Sequence, residues 1–266
     1  MNIVRIDDAT DPRVAPYLSI RERDLVGRQD RFIAEGKVVL NVLFGSARFE
    51  VESALVLESK LPGLAETLRL APASLPVYIT SQAVMDTIAG FHIHRGILAV
   101  GRRRVPHDPA SLIASLPPRA LAIVLVGLSN HDNVGAIFRN AAAFGADAVL
   151  LDETCCDPLY RKAIRVSVGA VLKVPFAIGA DAGGIAASLD RAGFGQIALS
   201  PAGEIDMRDA VRPARLALYL GTEGEGLPFA LMTRLQTVRI GMAPGFDSLN
   251  VAAASAIALH HFMDRA

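Results

Sequence analysis

The chain is predicted to form two α/β units, the second built on a parallel sheet. Three observations carry this reading. Apolar runs of strand length alternate with stretches of helical periodicity along most of the 266 residues. The run Leu121-Ala-Ile-Val-Leu-Val126 is continuously apolar, as expected of a parallel strand buried on both faces. A segment rich in arginine and proline, 102–119, interrupts the alternation and marks a boundary. The expected partition is therefore 1–105, a linker over 106–119, and 120–266.

In the first part, 35–47 has helical spacing, with Val38, Val39, Val42 and Leu43 on one side. Strands are expected at 51–57, 77–80 and 96–101, and a short helix at 61–68. Ser81 is suited to cap a helix after the second of these strands. A short helix over 110–115 falls inside the linker. In the second part, strands are expected at 121–126, 148–151, 174–178, 196–199, 216–220 and 237–240. Helices are expected at 135–144, 159–166, 185–192 and 249–263.

Composition narrows the function classes. The chain is 52% hydrophobic with formal net charge zero, and no apolar run reaches membrane-spanning length. The amino terminus lacks a basic start followed by an apolar stretch, so a cytoplasmic protein is expected. Zero net charge gives little support to nucleic-acid binding. Local clusters are basic, however: Arg21, Arg23, Arg28 and Arg31, and the run Arg102-Arg103-Arg104. The two cysteines, Cys155 and Cys156, are adjacent, a geometry poorly suited to a disulfide. His92, His94, His260 and His261 lack a third ligand at metal spacing, so no metal is expected. His131 differs only in lying within a motif.

Three segments place polar residues or glycine directly after an apolar run, where open α/β sheets bind ligands. They are Leu125-Val-Gly-Leu-Ser-Asn-His-Asp-Asn133-Val-Gly-Ala-Ile-Phe-Arg139, Leu218-Tyr-Leu-Gly221-Thr-Glu223-Gly-Glu-Gly226-Leu-Pro228, and Ile240-Gly-Met242-Ala-Pro-Gly-Phe-Asp-Ser248-Leu-Asn250-Val. The middle loop has a phosphate-loop frame, but Leu227-Pro228 stands where Lys-Ser/Thr would bind phosphate and magnesium. It reads either as a tight strand-to-helix turn or as main chain left open to a ligand. In the first segment Asp132 or Asn133 is placed to cap a helix. Arg139 is flanked by apolar residues, which implies an anionic partner, Glu223 or a phosphate. In the third, Ser248 is the expected cap of the last helix, with Asn250 inside its first turn.

Together the three segments, in this order, resemble the motifs of SpoU-type (TrmH-like) RNA ribose methyltransferases of the SPOUT superfamily. The likeness extends to Tyr160-Arg-Lys-Ala-Ile-Arg-Val-Ser-Val-Gly-Ala170 and, less specifically, to Phe32-Ile-Ala-Glu-Gly-Lys37. It implies a small L30e-like RNA substrate-binding domain over 1–105, and a parallel-sheet SPOUT domain with a deep trefoil knot over 120–266. It further implies a homodimer that methylates a ribose 2′-hydroxyl of RNA, rRNA before tRNA, with S-adenosyl-L-methionine.

By that likeness Gly221, Ile240 and Leu249 bind the cofactor, with Leu220 and Met242 nearby. Asn133, Arg139, Glu223, Ser248 and Asn250 fall on the catalytic positions. Asp247 and the pair Ala252-Ala253 depart from the usual pattern without removing any of these groups. Two other classes stand beside this reading. One is a non-catalytic RNA-binding or assembly protein keeping the fold, against which the retained polar residues argue. The other is an enzyme modifying a base, against which the Ser-Leu-Asn segment argues.

Overall fold

The structure is a computed structural model describing residues 2–18, 30–104, 108–222, 224–245 and 248–264. The chain divides into two units: Met1–Val105 with Leu159–Lys173, and Pro106–Pro158 with Val174–Ala266.

The first unit is built on a five-stranded mixed sheet of β1 (Asn2–Ile6), β2 (Arg31–Glu35), β3 (Phe49–Leu57), β4 (Pro76–Thr80) and β5 (Ile97–Arg103), in the order β1-β4-β3-β5-β2. β4 lies parallel to both β1 and β3, whereas β5 lies antiparallel to β3 and β2. Ile33, Leu55, Leu57, Leu98 and Val100 bury one face against Tyr17, Met85 and Ile88. Ser81 caps the helix Gln82–Ala89, its Oγ accepting from Val84 N, as its sequence position implies.

The sequence assigns 159–166 to the second part, but the structure packs it with the first. Chain order does not set packing: Ala163, Ile164, Val171 and Leu172 are buried there, and Arg161 Nη2 lies 2.9 Å from Glu35 Oε2, with side-chain exposures of 11% and 8%. Arg48 Nη2 also donates to Leu172 O at 2.9 Å. The expected linker differs as well. Within it, Pro109–Ala114 is a helix capped by Asp108, and Leu112 and Ile113 enter the core of the second unit.

The second unit is a seven-stranded sheet in which every pairing is parallel. Its strands are β6 (Ala120–Leu125), β7 (Ala148–Leu151), β8 (Phe176–Ile178), β9 (Gly195–Leu199), β10 (Ile205–Asp206), β11 (Arg215–Leu220) and β12 (Gln236–Arg239). Their order is β10-β12-β9-β11-β6-β7-β8. Every residue of β6 is buried. Ala120, Ala122 and Val124 pack among Leu112, Ile113, Ile185 and Leu189. The alternate Leu121, Ile123 and Leu125 point to the opposite face and are equally buried, so both faces of the sheet are covered. Because β12, β9, β11, β6 and β7 run side by side in one direction, the loops leaving their carboxyl ends gather along one edge.

Candidate active site

Three of those loops, leaving β9, β11 and β12, frame a cavity of about 450 Å³ in the second unit, closed by the start of the last helix. All five residues expected to hold a cofactor line it: Leu220, Gly221, Ile240, Met242 and Leu249. Ser248 lines it too. Leu199, Ser200 and Pro201, at the end of β9, line the same space although sequence reasoning misses them. A signal for them exists: Ser200-Pro201 also comes directly after an apolar strand, like the three segments singled out in the sequence.

The Gly221 loop is a tight turn and a cavity wall at once. Gly226 N donates to Thr222 O at 3.1 Å, and Gly226 takes the left-handed conformation, φ 71°. A Cβ on Gly221 would lie 2.5 Å from Gly226 C and from Leu227 N, so no side chain fits there. Pro228 precedes the short helix Phe229–Met232, which brings Met232 to the cavity. Glu223 lies outside the described residues, as do Asp247, Arg21, Arg23 and Arg28.

The first and third segments meet through two asparagines. Asn250 Nδ2 donates to Asn133 Oδ1 at 3.1 Å. Asn250, not Ser248, caps the last helix, Val251–Phe262: its Oδ1 accepts from Ala252 N at 2.9 Å and Ala253 N at 3.3 Å. The helix starts two residues later than expected, so Ser248 remains exposed beside the cavity. Likewise Asn130 caps the helix His131–Ala143, its Oδ1 accepting from Asp132 N. Asn133 therefore has no capping role and makes its contact from inside the first turn, where it is buried. Farther along, Asn140 Nδ2 donates to Ala252 O and Ser255 Oγ, both at 2.8 Å, holding the two helices in register.

Arg139 departs from its expected setting. Its neighbours Ile137, Phe138 and Ala141 are buried, but helical rotation turns Arg139 outward and it is exposed. It forms no ion pair with another described residue and does not line the cavity. The buried carboxylate near this end of the sheet is instead Asp152, just after β7. Its Oδ1 accepts from Gly127 N at 3.1 Å and Thr154 Oγ1 at 2.9 Å, fixing the loop that leaves β6. His131 opens its helix half-buried.

The basic run of the first unit is largely engaged. Arg102 pairs with Glu50 at 2.9 Å and Glu52 at 3.5 Å, Arg31 pairs with Glu52 at 2.8 Å, and Arg104 Nε donates to Phe49 O.

Residues 120–260 match the model of the SpoU rRNA Methylase family. The chain belongs to that family. By membership it is an RNA methyltransferase. An uncharacterized tRNA/rRNA methyltransferase of Mycobacterium tuberculosis is 37% identical over 269 residues, 98% of this chain and 91% of that protein. A crystal structure of an RNA 2′-O ribose methyltransferase superposes with TM-score 0.75 at 30% identity over 97% of each chain. An AdoMet-bound rRNA methyltransferase from Sinorhizobium meliloti superposes with TM-score 0.82 over 97% of each chain, a likeness of fold at 23% identity. No helix among the described residues of this SpoU methylase is long and apolar enough to cross a membrane.

Proposed function

We propose that this SpoU methylase transfers the methyl group of S-adenosylmethionine to a ribose 2′-hydroxyl of RNA. The observation that carries the reading is the gathering of Leu220, Gly221, Ile240, Met242 and Leu249 around one cavity, with Ser248 on its wall. The cavity has the size of a small-molecule site. Its lining fits the flat faces of a purine and the short carbon arms of a sulfonium, with aliphatic side chains for the faces and main chain just past the ends of β11 and β12 for the polar edges. The relative named as an RNA 2′-O ribose methyltransferase, alike over nearly the whole chain, supports ribose as the acceptor. The family's description favours rRNA over tRNA.

When bound, the cofactor supplies an electrophilic methyl group on a sulfonium. The chain's own task is to aim the acceptor oxygen in line with it. Because the transition state would carry less concentrated positive charge than the bound sulfonium, the site's residues need to orient more than to supply counter-charge. Of the described lining residues only Glu225 is ionisable, in keeping with that demand. Ser248, Asn133 and Asn250 position the ribose, and Glu223, in the Gly221 loop, completes the polar set with Arg139. Arg139, exposed on its helix, takes the phosphate next to the target ribose with its forked donors and lowers the hydroxyl pKa. The guanidinium stays charged, so a phosphate oxygen or water accepts the proton.

The same reading assigns RNA substrate binding to an L30e-like domain over 1–105, and methyl transfer to a trefoil-knotted SPOUT domain over 120–266. It also makes the enzyme a cytoplasmic homodimer. The test is transfer of labelled methyl from S-adenosylmethionine to total RNA from a strain lacking the gene, followed by nucleoside analysis. A 2′-O-methylnucleoside in one RNA species is expected. A methylated base would move the acceptor off ribose, and cofactor binding with no transfer to naked RNA would point to an assembled ribonucleoprotein substrate. Neither binding nor transfer would leave a non-catalytic RNA-binding protein.

A further inference from the structure

The loop 90–96 of the first unit, between the helix Gln82–Ala89 and β5, carries Phe91, His92, His94 and Arg95, all exposed, around a buried anchor, Ile93. One carboxylate fixes its shape. Asp86 Oδ1 accepts from Ile93 N at 3.0 Å and from Gln82 Nε2 at 2.7 Å, and Asp86 Oδ2 lies 2.7 Å from His92 Nδ1. These bonds, the Ile93 N–H first, hold the Asp86 carboxyl below the usual carboxylate range.

The rings of His92 and His94 meet edge to face with centroids 4.5 Å apart. The Phe91 ring has the Arg161 guanidinium 4.6 Å from its centroid, yet remains 42% exposed. Arg161 is itself locked by Glu35. The Arg95 side chain lies across Gly36, and Lys37 and Lys60 are exposed on the flanks. Two carboxylates beside the loop, Asp86 and Glu35, are thus taken up by loop and ion pair, and the loop presents three rings together with cations.

We propose that the loop 90–96 is a stacking platform for unpaired bases of the RNA substrate, with Phe91 as its central ring and Arg95 as a phosphate contact. Aromatic, imidazole and guanidinium faces accept any splayed-out base, whereas a duplex keeps its bases stacked on one another. The inference rests on the RNA-methyltransferase reading above and deepens it by selecting single-stranded or loop RNA.

The test measures binding of the full-length protein to a short oligouridine strand and to a blunt RNA duplex of equal length, alongside calorimetric cofactor binding. Phe91→Leu keeps apolar packing on Arg161 but removes the ring. It is expected to weaken single-strand binding by about five- to a hundredfold, with duplex and cofactor binding unchanged. Phe91→Tyr is expected to bind like the parent, and Arg95→Gln to lower the salt dependence by about one phosphate contact. Equal losses in Phe91→Leu and Phe91→Tyr would overturn the proposal in favour of local packing. Parent-like RNA binding and KM in Phe91→Leu would overturn it in favour of a protein-binding patch, leaving the enzyme reading intact. A parent protein that neither binds nor methylates RNA would overturn both.

Discussion

The side-chain amide of Asn250 donates to Asn133 Oδ1 across 3.1 Å, tying together the first turns of two helices 117 residues apart in sequence. The same Asn250 caps its own helix through Oδ1. One residue therefore sets where the last helix begins, and with it where Ser248 and Leu249 stand beside the cavity.

Asn250→Ala is expected to destabilise the protein by about 2 kcal/mol, roughly half from the lost cap and half from the lost hydrogen bond. Chemical denaturation of Asn250→Ala, Asn133→Ala and the double variant checks this. A coupling energy of about 0.5–3 kcal/mol is expected for residues in direct contact, and strictly additive losses would mean the bond carries no energy.

Gly221→Ala forces a Cβ to within 2.5 Å of main-chain atoms of Gly226 and Leu227. The loop must shift, at a cost of about 1–3 kcal/mol, and calorimetry should show at least tenfold weaker S-adenosylmethionine binding. Gly224→Ala is the comparison: nothing described lies within 4 Å of its added Cβ, so its melting temperature should stay at the parent value. Parent-like cofactor affinity in Gly221→Ala would remove that loop from the site.

Glu35→Gln leaves the Arg161 guanidinium buried without its counter-charge. A loss of about 3–5 kcal/mol is expected from urea denaturation, and joint replacement by apolar residues, Glu35→Leu with Arg161→Met, should recover most of it. A double variant as unstable as the single one would show that the pair contributes more than relief of a buried charge.

Burial pushes the Cys156 thiol up to about 11, with the charge of Asp157 adding to the effect, and pushes Cys155 still higher. A raised thiol pKa means less thiolate: at pH 8 about one part in a thousand of Cys156 is the nucleophilic form. Alkylation of the native protein should be slow at pH 8 and accelerate tenfold per pH unit toward pH 11, while denatured protein reacts at once. Rapid labelling of native protein at pH 8 would refute the burial argument.

Much of the second unit is legible because a parallel strand buried on both faces must be a continuous apolar run. β6, β7, β9, β11 and β12 start and end within a residue of their expected bounds. Less visible are β1, an edge strand with a mostly exposed pattern, and β10, with only two residues. β2 shows in the sequence only as part of the motif Phe32 to Lys37, because its run is too short to display a strand period. The caps lie two or three residues from their expected positions because several polar residues precede each helix. Only the observed hydrogen bonds distinguish Asn130 from Asp132 and Asn133, and Asn250 from Ser248.

Legible in the amino-acid sequence were the alternation of strands and helices, the parallel second sheet, the family, and five of the residues that line the cavity. These are written locally, in apolar runs and in the glycines and polar residues just beyond their ends. Tertiary structure alone decided that 159–173 packs with the first unit, that Asn133 meets Asn250, and that Ser200 and Pro201 join the cavity wall. Each of these depends on which distant segments become neighbours, and that is not encoded in the spacing of residues along the chain.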